Sequence, residues 1–198
     1  MKTMLEEFKE TLVKTQREGM EDLVDTLVDM GLETAPCSGG HHLCKEGGLL
    51  EHSLNVLHAA EKIAAALYGG KTLTKELKTS IQVCCLLHDI GKLGQFDKPY
   101  YVENVLKDGG RSTAKPFKIN PELLNVEHEI RSVVIATMYI DLTEEEQFAI
   151  LAHNGLYGNL RYMVQGHETP LSMIVHWADL WATRVLEAGG PDGTEVDG

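Results

Sequence analysis

Leu86-Leu87-His88-Asp89-Ile90-Gly91-Lys92 decides how this chain is read. The stretch closes an apolar run, Ile81 to Leu87, that is too hydrophobic for the face of an exposed helix. A buried helix therefore delivers an imidazole and a carboxylate side by side, with Gly91 stopping it just beyond them. A buried polar group without a partner is strongly destabilising. His88 and Asp89 are therefore either held by a bound ion or satisfied by hydrogen bonds of their own.

Working outward, this helix starts near Leu73, and His88 shares its inner face with Ile81, Cys84 and Cys85. The helix before it runs from about Leu49 to Leu67 and stops at Gly69-Gly70. His52 lies on its apolar face with Val56, Ala59 and Ile63, whereas His58 lies with Glu61 and Lys62 and faces solvent. Ahead of these come two amphipathic helices, over residues 4–17 and 20–30, then a Gly-rich loop, Thr34 to Gly48, that carries His41-His42.

Downstream, Tyr100 to Leu106 and Ser112 to Ile119 flank Lys107-Asp108-Gly109-Gly110, the pattern of a β-hairpin. Residues 98–118 hold five basic side chains, Arg111 and Lys115 among them, against two acidic ones. This hairpin is either a solvated element or a basic flap beside an anionic ligand. Three helices follow. The first, Glu127 to Ile140, has His128 near its start. The second opens on the capping box Thr143-Glu144-Glu145-Glu146 and ends at His153, three and four residues after Ile150 and Ala149. The third opens on Thr169-Pro170 and runs to about Leu186, with Asp179 on the same face as Val175 and Leu186.

The 198 residues are enough for one full core, and the hairpin is the one place where strands are expected. The fold class read from this pattern is all-α, a helical bundle with a small β-hairpin insertion. Residues 1–34 are expected to be helices packing on the core, 35–188 the functional domain, and 189–198 a disordered tail. The net charge of −12 disfavours gripping a nucleic acid but leaves room for a small anion in a locally basic pocket. Four Cys form no disulfide pattern: Cys84 and Cys85 read as core, and Cys37 and Cys44 flank His41-His42 at a spacing unlike the common zinc motifs. No signal core or membrane-length segment is visible, so the expected setting is soluble and cytoplasmic, with no membrane partner. Oligomeric state is left open.

The helices thus each aim ligand-type side chains inward: His52, His88, Asp89, His153 and Asp179, with His128 at a helix start. So many buried imidazoles and carboxylates need a cation. A mixed nitrogen and oxygen set suits Mn, Fe, Co, Ni or Zn. Six ligands exceed what one catalytic ion takes, and suit two ions bridged by one carboxylate.

Gly47-Gly48-Leu49-Leu50-Glu51-His52-Ser53, the opening His88-Asp89 block and His176-Trp177-Ala178-Asp179 together resemble the HD-domain superfamily of metal-dependent phosphohydrolases. The likeness covers about residues 35–188. Its His41-His42 to Gly48 part is similar to the HD domain of bacterial 3′–5′ exoribonucleases, and the hairpin with His128 and His153 to uncharacterised bacterial and phage HD hydrolases. The resemblance implies a helical bundle with the metals at its centre. It implies that His52, His88, Asp89 and Asp179 hold one ion, and that Asp89 bridges to a second held by His128 and His153. It implies Lys92 as a contact for substrate anions. One departure is His153-Asn154, where cyclic-dinucleotide phosphodiesterases of the superfamily carry two His.

His176 is read either as a phosphate contact or general acid, or as a hydrogen-bonding partner that orients Asp179. His42, Arg111 and Lys115 are candidate substrate contacts, His42 at the site mouth with His41 and the other two in the basic hairpin; Arg161 reads as a surface residue, with a phosphate contact as its alternative, and His167 as a loop residue without a role. The expected function is hydrolysis of a nucleotide or related phosphate mono- or diester by a metal-activated water, with Asp89, Lys92 and His176 in the catalytic machinery and one or two divalent transition-metal ions as cofactor. The alternatives are a di-iron oxygenase on the same ligand set and a non-catalytic nucleotide-binding module.

Overall fold

The computed structural model describes residues 2–69 and 73–188; the expected tail, 189–198, lies outside them. The described residues form eight α-helices: α1 Met4–Val13, α2 Met20–Asp29, α3 Gly48–Tyr68, α4 Lys75–Leu87, α5 His128–Thr137, α6 Glu144–Leu151, α7 Arg161–Val164 and α8 Pro170–Trp181. Two short strands, β1 Tyr101–Glu103 and β2 Phe117–Ile119, stand between α4 and α5. The all-α class with a small hairpin is therefore what the chain adopts. No helix among the described residues is long and apolar enough to cross a membrane.

Helix α3 is the axis of the bundle, and it packs against both α4 and α8. Its sequence explains this: Leu50, Leu54, Val56, Leu57, Ala60 and Ala64 bury more than one stripe, and His52 and Ser53 go in with them. The helix can begin at Gly48 only because that residue has no side chain: a Cβ there would lie 2.0 Å from the Leu43 carbonyl oxygen. Helices α1 and α2 share this core through Phe8, Leu12, Leu23 and Leu27. They are also tied to α6 by Arg17, whose guanidinium grips Glu146 with both terminal nitrogens. Thr143 and Glu146 form the expected capping box on α6, and Thr169 with Ser172 caps α8 behind Pro170 at the first helical position.

Two local differences from the sequence reading matter for the site. Helix α4 ends at Leu87, with His88 as its cap, so Asp89 is already outside the helix at φ −112° and ψ 6°. Gly91 is not the stop. It sits inside a 3₁₀ turn, Ile90–Leu93, where a Cβ would lie 2.1 Å from the His128 carbonyl oxygen. The glycine is a close approach between this turn and α5, sealed by a 2.8 Å bond from its N–H to Ser132 Oγ. That contact brings His128 beside Asp89.

The hairpin pairs Tyr101 with Ile119, Val102 with Lys118 and Glu103 with Phe117. It is shorter than its sequence pattern suggests. Beyond Glu103 the ladder is interrupted and resumes only at the single Val105–Arg111 bridge. Pro116, which has no N–H to give, stands where the pairing breaks. The turn is the expected Asp-Gly type, with Gly109 at φ +84° and Asp108 Oδ1 accepting from the Gly110 N–H. Phe117 N–H donates to the Gly39 carbonyl at 3.1 Å, so the Gly-rich loop is laid against the hairpin rather than left free.

Candidate metal centre

The inward side chains converge on Asp89, which is fully buried. On one side of it, His52 Nε2 lies 3.3 Å from His88 Nε2, 3.5 Å from Asp89 Oδ2 and 3.2 Å from Asp179 Oδ1. On the other side, His128 Nε2 lies 3.3 Å from His153 Nε2 and 3.1 Å from Asp89 Oδ1, with His153 Nε2 3.5 Å from that oxygen. Two facing pairs of imidazoles are thus joined by the two oxygens of one carboxylate. Separations near 3.3 Å are those between neighbouring donors around an ion with bonds of about 2.1 Å.

The outer nitrogens explain which way the rings point. His88 Nδ1–H donates to the Cys85 carbonyl at 2.8 Å, and His153 Nδ1–H donates to the Ile150 carbonyl at 2.7 Å. Each bond puts the proton on Nδ1 and leaves the Nε2 lone pair facing inward. His52 Nδ1–H donates to Glu187 Oε1 at 2.9 Å. His128 Nδ1 stands 3.2 Å from Glu129 Oε2. The His88 and His153 rings are thus each backed by a backbone carbonyl and the His52 ring by a carboxylate, while Glu129 Oε2 beside His128 accepts no hydrogen bond among the described residues.

The electrostatics fit a cation. Asp89 Oδ1 is buried and accepts no hydrogen bond among the described residues, a costly state for a carboxylate oxygen unless an ion takes it. Burial pushes the Asp89 carboxyl up, but the Lys92 ammonium, His88 and His128 outweigh burial and hold it well below the usual carboxylate range. Burial also works against charge on Lys92, yet Asp89 keeps that ammonium well above its ordinary value. Burial, joined by His88, lowers His153 to about 4, so its ring is neutral and ready to ligate. Burial opposes a charge on His52 too, but Cys37, Asp179 and Glu187 around it raise it well above its ordinary value.

Lys92 Nζ lies 2.6 Å from Asp89 Oδ2 and 3.9 Å from Cys37 Sγ. With His128, His153, His176 and Asp179 it lines a cavity of 140 Å³ beside Asp89. His176 does not bond Asp179: its Nδ1–H donates to the His153 carbonyl at 2.7 Å, which leaves Nε2 free. His42 reaches the same cavity, with Nε2 3.3 Å from Cys37 Sγ and 3.8 Å from Glu187 Oε2. Arg111 and Lys115 are not brought to the cavity. Arg111 stacks over Phe117, pairs with Glu103 at 3.4 Å and lines a separate groove of 810 Å³ that shares Lys92 with the cavity. Lys115 lies along the backbone of Gly39-Gly40. Asn154, at the departure from the two-His pattern, donates to Glu129 Oε1 at 2.7 Å and stands 3.0 Å from His153 Nε2.

Glu187 is the residue that the sequence reading missed. Past α8 the chain enters a π turn, Ala182–Leu186, closed by a bond from the Glu187 N–H to the Ala182 carbonyl. This wide turn carries Glu187 back over His52 and Asn55. Its only signal in the sequence was an acid two turns after Asp179.

Among known protein families, the one described as the HD domain matches residues 49–183. The match takes in all of His52, His88, Asp89, His128, His153 and Asp179, and leaves out His42, Arg184 and Glu187. No curated protein and no solved structure matches the chain.

Proposed function

The chain belongs to the HD-domain family, a superfamily of metal-dependent phosphohydrolases, and from that premise we propose that it hydrolyses a nucleotide or related phosphate mono- or diester at a two-ion centre. The observation that carries the reading is the position of Asp89, one oxygen toward His52 and His88, the other toward His128 and His153. His52, His88, Asp89 and Asp179 would hold one ion, and Asp89, His128 and His153 the second. Divalent ions held there supply a nucleophile from water near neutral pH and positive charge for phosphoryl oxygens.

The chain's own groups do the rest. Lys92 fixes the orientation of Asp89 through its 2.6 Å contact and adds a buried positive charge at the cavity wall, where charge develops on a phosphoryl group under attack. His176 has its Nδ1 proton committed to a carbonyl, so Nε2 is the atom that exchanges a proton with a leaving group. Buried His153 and His88 exclude solvent from beneath the site. Cationic walls favour an anionic substrate over O₂, which supports hydrolysis over oxygenation.

The test is a screen of nucleoside mono-, di- and triphosphates and generic phosphodiesters with Mn²⁺-loaded protein under anaerobic conditions. Release of phosphate or a nucleoside monophosphate, lost in Asp89→Ala, supports the reading. Activity that requires both iron and O₂ overturns it, and so does tight nucleotide binding without turnover under any divalent metal.

A further inference from the structure

The cavity beside Asp89, 140 Å³, is smaller than the pockets of about 300–1,000 Å³ that enclose whole small-molecule ligands. The rest of any substrate must lie at the mouth, which the exposed lining residues mark: Tyr157, 78% exposed, and Arg184.

Two basic side chains other than histidine line the cavity, Lys92 and Arg184, and they differ in one respect. Lys92 is committed to Asp89. Arg184 has no hydrogen bond, ion pair or ring contact among the described residues, and it belongs to none of the interactions that tie the π turn to the bundle. An Arg with five donors and no acceptor at the rim of a polar cavity is equipped for a planar or forked anion.

Its placement depends on the π turn. In a regular α-helix, residue 184 would stand about 140° around the axis from Asp179, at 3.6 residues per turn. The wider turn at Ala182–Leu186 narrows that angle and brings Arg184 toward the face that carries Asp179. The same turn sends Glu187 to His52. One local irregularity thus serves the metal side and the mouth of the site together. Arg184 lies beyond the part of the chain that the family match covers.

We propose that Arg184 forms a second anion subsite, one that takes a negatively charged group next to the phosphoryl group under attack. The substrate class is then a phosphate ester with at least one further anionic group, such as a nucleoside di- or triphosphate, rather than a simple monoester. This rests on the phosphohydrolase reading of the cavity.

The experiment compares two anions by calorimetry on Mn²⁺-loaded protein, with free Mn²⁺ held constant: inorganic phosphate, and imidodiphosphate, whose P–N–P bridge resists hydrolysis. Wild type should bind imidodiphosphate about tenfold or more tightly than phosphate. Arg184→Ala should lose that preference while holding phosphate within about twofold of wild type, and Arg184→Lys should restore part of it, as a cation without the guanidinium fork. An unchanged preference in Arg184→Ala overturns the subsite. An equal loss for both anions overturns it as well, because Arg184 would then serve the first phosphoryl group. Wild type that binds neither anion sinks the phosphohydrolase reading itself, whereas phosphate binding with an imidodiphosphate preference that does not depend on Arg184 sinks the subsite alone.

Discussion

His128 Nε2 stands 3.1 Å from Asp89 Oδ1 in the buried centre of the bundle, yet no hydrogen bond among the described residues satisfies that oxygen. Nor does His153, whose Nε2 is 3.5 Å from the same atom. Its ring gives its proton to the Ile150 carbonyl and is held neutral by burial, down to about 4. A buried carboxylate oxygen between two imidazole nitrogens, with no hydrogen bond among the described residues, is a donor set that fits a cation. The His52 side differs in degree: Asp179 and Glu187 beside it raise His52 against the burial that lowers it.

Lys92→Ala should keep the metal and lose activity. The ammonium contacts Asp89 Oδ2 but offers no lone pair to an ion while it is charged, and Asp89 holds it charged. We expect kcat to fall by about 10²–10³, the loss seen when one preorganised donor to a developing oxyanion is removed. Metal content by atomic emission should stay at the wild-type value. Loss of metal in this variant would make Lys92 a structural support for Asp89.

Glu187→Gln should weaken metal binding by about 10–100-fold, the usual effect of losing an outer partner of a ligating His. The amide keeps the size of the side chain and can still accept from His52 Nδ1–H, so the change removes charge rather than packing. A metal titration with the two proteins side by side checks this. An affinity within about twofold of wild type would limit Glu187 to closing the π turn.

Glu146 ties three parts of the fold together. Its fully buried carboxylate accepts from Arg17, from Ser80 Oγ at 2.6 Å and from the Thr143 N–H at 2.9 Å. Glu146→Ala should destabilise the protein by about 3–5 kcal/mol in urea unfolding, since it strands a partly buried guanidinium. Burial raises this carboxyl, but the bonds from Arg17, Ser80 and Thr143 outweigh burial and bring it below 4.5. The unfolded chain therefore takes up this proton first as pH drops. The stabilisation is complete above about 4.5 and is lost as pH falls through the lower folded value. Glu146→Gln should remove that part of the acid sensitivity. An unaltered pH profile would show that other carboxylates set it.

Much of the centre was legible in the sequence because helical spacing reports faces. His52 among Val56 and Ala59, His88 among Cys84 and Cys85, and His153 after Ala149 and Ile150 are buried where the period places them. Asp179 follows the same rule and is half-buried at the cavity. What spacing cannot report is a change of period. The π turn that recruits Glu187 and Arg184 breaks the 3.6-residue rule at the point where it was being used. Gly91 was misread for a related reason: a glycine that ends a helix and one that admits a neighbouring backbone look alike until His128 is placed across from it. The basic hairpin showed its charge but not its destination, and Arg111 went to Glu103 and Phe117 instead of the cavity.

The measurement that tests the account most directly is metal stoichiometry at saturation, in wild type, Asp89→Ala and His128→Ala. If Asp89 joins two ions, wild type holds about two divalent ions per chain, Asp89→Ala loses most of both, and His128→Ala keeps about one. Wild type that saturates with one ion, or His128→Ala that matches wild type, would contradict the bridging role on which the account depends.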